Sequence, residues 1–136
     1  MTSDQERLSG YVTTWRSAVD DVLTLLRSLD DSDWSLPTDL PGWDVKGVAC
    51  HLAHIESDLA GVKQKRVQLP ERDHYTAPTS TFTELGLVAR EEMGPDQIVD
   101  ELEECARLRH ERLLADPPTD GRADPPRTPG RIGWNW

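Results

Sequence analysis

The sequence predicts an all-α protein. Apolar residues recur at helical spacing in four separate segments, no stretch alternates with period two over a useful length, and prolines punctuate the joins between segments. The chain has 136 residues, of which 36% are apolar and 29% charged, enough for one modest core.

Stepping about 100° per residue, Leu8, Tyr11, Val12, Trp15, Val19, Val22, Leu26 and Leu29 fall within one narrow arc. This is an amphipathic helix of about six turns. Asp30-Asp31-Ser32-Asp33 follows it with short polar side chains that favour turns. In the next stretch, WSLPTDLPGW, Pro37 and Pro41-Gly42 force an extended, turning connection.

Asp44 is the expected N-cap of a second helix, with Trp43 placed to pack on Val48 as a hydrophobic staple. This helix is expected to run to about Val62, with Val48, Leu52, Ile55, Leu59 and Val62 as its inward arc and Gly47 at a close helix contact. Residues 64–80 are polar and contain Pro70 and Pro78, which predicts a long surface loop. Thr81-Phe82-Thr83-Glu84 has capping-box spacing and opens a shorter helix to Met93, with Phe82, Leu85, Ala89 and Met93 on one side. Gly94 breaks that helix. Pro95 at a first helical position starts the last one, to about Ala115, with Ile98, Leu102, Cys105, Ala106 and Leu113 as its stripe.

These elements make residues 1–116 a helical bundle with three longer helices and one shorter, and residues 117–136 a Pro/Gly-rich loop or tail. The tail holds five of the ten prolines, so it cannot continue a helix. It nevertheless finishes in Ile132-Gly133-Trp134-Asn135-Trp136, and such aromatic density is foreign to solvated disorder.

Twenty-five acids against fifteen bases give a net charge of −10, which opposes any phosphate-driven nucleic-acid or anionic-membrane role. The N-terminus lacks the basic and apolar blocks of a signal peptide, and no stretch approaches the ~20 apolar residues of a membrane helix, so a cytoplasmic protein is expected. Cys50 and Cys105 lack C-x-x-C spacing and read as unpaired thiols in a reducing compartment.

The histidines are His51, His54, His74 and His110. Taking Val48 as zero on the second helix, His51 lies at about −60°, Asp58 at about −80° and His54 at about −120°. His51 thus flanks the apolar arc and suits a cleft between helices, whereas His54 points further towards solvent. One imidazole does not hold a transition metal alone, and Asp58 is roughly 10 Å along the helix from His51, too far to share an ion directly. Cys50 points about 160° away from Val48 and forms no dyad with its neighbour His51. Arg109 falls inside the stripe of the last helix, where it must snorkel towards the helix end, the favoured expectation, or pair with an acid. A substrate-carboxylate site at Arg109 is the functional alternative.

The segment Leu40-Pro41-Gly42-Trp43-Asp44-Val45-Lys46-Gly47-Val48-Ala49-Cys50-His51-Leu52, with Trp34 and Pro37-Thr38 before it, resembles the N-terminal domain of the mycothiol-dependent maleylpyruvate isomerase family, part of the DinB-like metal-binding bundle superfamily. The resemblance implies a DinB-like up-down bundle that binds a divalent metal, zinc or nickel, between helices, with His51 as one ligand. It implies further ligands from a last long helix, an acid followed four positions later by a histidine, which share one face at that spacing. No such helix is recognisable before Trp136, so the expected bundle is incomplete, truncated, and weak in metal affinity. The implied chemistry is metal-assisted reaction of a small electrophile with mycothiol. A divalent cation lowers the thiol pKa and holds the thiolate, and thiol addition to a double bond permits rotation before elimination. The competing expectation is a non-enzymatic helical interaction module whose open groove takes a partner helix or a second copy in a homodimer.

Overall fold

A computed structural model describes residues 3–69 and 78–122. His74, Pro70 and the Trp-ended segment from residue 123 onwards lie outside the described residues. Four α-helices, α1 (Asp4–Ser28), α2 (Val45–Leu59), α3 (Pro78–Ala89) and α4 (Pro95–Ala115), are joined by one 3-10 turn, Asp31–Ser35, and no strand occurs among the described residues. The all-α expectation holds.

Each helix begins where local chemistry satisfies its free amides. Ser3 accepts from the Glu6 amide while the Glu6 carboxylate accepts from the Ser3 amide at 2.9 Å, a reciprocal capping box on α1. Asp44 caps α2 through the Gly47 amide at 2.8 Å, an interaction of about 1 kcal/mol. Pro95 occupies the first turn of α4, where its missing N–H costs nothing. The helix α3 begins at Pro78, earlier than the Thr81 capping box predicts and again with proline at a helix start, and it ends at Ala89 rather than Met93. Likewise α2 stops at Leu59, where Gly61 turns the chain at φ 81°.

The connection into α2 folds back on itself. Gly42 has φ 80° and follows Pro41, and the Trp43 amide donates to the Leu40 carbonyl at 3.0 Å, a turn that demands this Pro-Gly order. Thr38 closes the base, its amide and hydroxyl both donating to the Trp43 carbonyl at 3.2 and 2.8 Å.

The core sits where α2 and α4 meet most extensively, with α1 packing principally on α4 and α3 on α2. Leu8, Val12, Val19, Leu23 and Leu26 bury one face of α1, whereas Tyr11, expected in the stripe, is 57% exposed. Ile98, Val99, Leu102, Cys105 and Ala106 bury the face of α4.

The sequence reading of α2 is overturned. Its buried residues are Gly47, Ala49, Cys50, Ala53, His54, Glu56 and Ser57, while Val48, Leu52, Ile55 and Leu59 are half-buried and Val62, beyond the helix, is exposed. Small side chains let α2 approach α4 closely, and the bulky apolar residues are thereby turned to the flank of that contact, where Leu52 still packs on the core. Cys50 accordingly faces the core at 2% exposure, not away from it.

Ala53 is wholly buried at this interface. Ala53→Leu is expected to lower unfolding free energy by about 1–3 kcal/mol by overpacking, whereas Val62→Ala shifts it by less than about 0.5 kcal/mol. Urea titration followed by circular dichroism distinguishes the two.

Candidate functional site

The turn before α2 and the first two turns of that helix place His51. Trp43, fixed by Thr38, lies with its ring centroid 5.3 Å from the His51 ring at 58°. His51 is half-buried on the same side of α2 as Val48, Leu52 and Ile55. Its Nδ1 is buried without a hydrogen-bond partner, and desolvation holds its pKa below the usual histidine value. A neutral imidazole with one uncommitted nitrogen is the chemical form a divalent metal requires.

His54 is not directed to solvent as predicted. It is 3% exposed and stacks on Phe82 of α3 with centroids 4.2 Å apart. A Cβ on Gly86 would stand 2.2 Å from His54 Nδ1, so the absence of a side chain at Gly86 is what admits the ring. Burial foremost, then the Arg90 and His51 charges, lowers the His54 pKa to about 4.

Arg109 is paired rather than snorkelling. Its Nη1 donates to Glu56 Oε2 at 2.9 Å and Oε1 at 3.0 Å, and the guanidinium lies 4.6 Å from the centroid of the Trp15 ring. The Trp15 indole N–H donates to Glu56 Oε1 at 2.8 Å, joining α1 to the pair. Glu56 was not singled out from the sequence, yet a cation inside an apolar stripe demands an acid on the facing helix, and α2 offers only Glu56 and Asp58. The pair commits Nη1 of the guanidinium to Glu56 and so neutralises the charge that a substrate carboxylate would need.

A second cation, Arg90, is 4% exposed. Its Nε and Nη2 donate to Glu101 at 2.9 and 2.6 Å, its Nη1 to the Gly86 carbonyl at 3.1 Å, and its Nη2 also to Gln64 Oε1 at 3.3 Å. Gln64 in turn donates to the Ser57 hydroxyl at 2.9 Å, so one guanidinium ties α3, α4 and the segment after α2 together. Arg90 also went unmarked in the sequence, because it lies in the turn just after α3, where periodicity carries little information.

The thiols are passive. Burial raises Cys50 to about 11 and also raises Cys105, so both are protonated at neutral pH and neither is a nucleophile. Among the described residues no group of three or more His, Cys, Asp or Glu could hold a metal ion. Asp58 has a partner, and among the described residues no helix is long and apolar enough to cross a membrane.

Four helices with no strand among the described residues place the fold in the DinB-like class of helical domain. The sequence model of the mycothiol maleylpyruvate isomerase N-terminal domain matches residues 15–136, and this chain belongs to that family. No curated protein and no solved structure matches it.

Removing the Glu56 carboxylate strands a guanidinium that retains only 15% side-chain exposure. Glu56→Ala is expected to cost about 3 kcal/mol, and Glu56→Leu combined with Arg109→Met to recover most of it, read by chemical denaturation. A second expectation concerns pH. Because the folded-state pKa of His54 is about 4 against 6.5 unfolded, the unfolded chain binds the proton first as pH falls. Stability is therefore full above about pH 6.5 and declines towards pH 4, by up to roughly 3 kcal/mol from this residue. Denaturation midpoints between pH 6.5 and 5 should flatten in His54→Phe.

Proposed function

We propose that this chain is a mycothiol-using enzyme domain acting on a small electrophile, an isomerase or thiol transferase of the cytoplasm, with His51 as one ligand of a divalent metal. The observation that carries the reading is the state of His51. It occupies the histidine position that the family resemblance assigns to a ligand, and it is held against Trp43 with an unpaired Nδ1 and a depressed pKa. Neutral imidazole suits zinc or nickel.

The described residues supply one such donor and not a centre, since no group of three ligating side chains assembles among them. No step of a reaction is therefore assigned to a metal. His54 cannot add a second donor through Nδ1, because that atom sits against Gly86. What the described residues do provide is a fixed imidazole and a half-buried apolar wall, Val48, Leu52 and Ile55, beside it. Such a wall excludes water from one side of a small electrophile.

Calorimetric titration of the purified chain with zinc and with nickel is expected to show weak binding, which His51→Ala abolishes while His54→Phe leaves it in place. Tight stoichiometric metal that survives His51→Ala would overturn the assignment.

A further inference from the structure

A cavity of about 410 Å³ opens between α2, the segment after it and α3. We propose that this cavity is a binding site for a small aromatic carboxylate. It does not include His51 and stands independently of the metal reading.

Its apolar part is made by Val67, Phe82, Leu85 and Ala89, and its polar part includes Lys65 and Arg66. The wall is rigid. His54 is locked between the Phe82 ring and Gly86, and Arg90 is anchored by Glu101 and by the Gly86 carbonyl. The volume lies within the range of small-ligand pockets, at the end suited to a single-ring molecule.

The charge at the cavity selects an anion. Residues 61–69 read GVKQKRVQL, three bases and no acid, in a chain whose net charge is −10. Arg90 is neutralised by Glu101, but neither Lys65 nor Arg66 makes an ion pair with any described residue, so both ammonium and guanidinium groups remain available at the lining. A flat ring placed against Phe82 and Leu85 would carry its carboxylate to these two cations, gaining charge-assisted hydrogen bonds while burying apolar area. A neutral ring would gain only the second contribution. A charged headgroup without a ring would gain only the first.

The test is titration of the full chain with benzoate, benzyl alcohol and acetate, followed by amide chemical shifts. Benzoate is expected to give saturable shifts centred on Val67, Phe82, Leu85 and Ala89, with affinity about tenfold above that of either benzyl alcohol or acetate. Lys65→Gln with Arg66→Gln, both exposed and outside any helix, should lower benzoate affinity about tenfold and leave benzyl alcohol unchanged. An unaltered thermal melt of this variant checks that the fold is intact. Absence of saturable shifts, equal affinity for benzoate and benzyl alcohol, or undiminished benzoate binding by the double variant would each overturn the proposal.

Discussion

The close approach of α2 and α4 governs the molecule. Ala49, Ala53 and Ala60 on the α2 side and Ala106 on α4 are buried almost completely, and none has a side chain long enough to hold the helices apart. An interface of small residues fixes the rotation of α2 about its own axis, because turning it would drive Leu52 or Ile55 into space that only a methyl group fills. Everything placed on α2 follows from that rotation. Glu56 and Ser57 enter the interior, His54 turns towards α3, and His51 stays at the half-buried edge.

The same rotation creates the need for the polar cluster beneath α1. A buried carboxylate at Glu56 would be costly alone, and Arg109 with the Trp15 indole supplies three of its hydrogen bonds. Such a cluster contributes little net stability over an apolar alternative, but it permits only one register of α2 against α4, since a shift by a residue leaves both charges without partners. Arg90 does the equivalent at the other flank, where α3, short and preceded by residues outside the description, gains a fixed position through Glu101.

The element pattern was legible because it rests on local rules. The Asp44 cap, Pro95 at the start of α4 and the Pro41-Gly42 turn are each decided within a few residues, and the structure places all three as expected. The orientation of α2 was not legible, because a hydrophobic stripe tells which residues are alike and not which face lies inward. Volume decided it: the alanines and Cys50 are more deeply buried than the branched residues at their flank. Misassigning that face accounts for both the outward Cys50 and the outward His54. Arg109 was legible as an anomaly, and only its partner required three dimensions. The L-P-G-W segment was legible as a turn, and its geometry brings Trp43 against the His51 ring.

His51 and His54 show how little sequence spacing settles by itself. Three residues apart, they differ by about 60° around the helix, enough here to separate two fates. His54 sits with Nδ1 against a glycine backbone and a phenyl ring on its face, so moving it to meet an ion at His51 would open a void beside Phe82 and expose the Gly86 notch. A void of that kind costs dispersion contacts and transfer energy together, which makes the ring a fixture of the wall rather than a mobile ligand. Both rings keep a buried Nδ1 without a hydrogen-bond partner, but the half-buried His51 ring rests on Trp43 rather than in a glycine notch. Of the two imidazoles, His54 is the one whose displacement would dismantle the packing that positions α3.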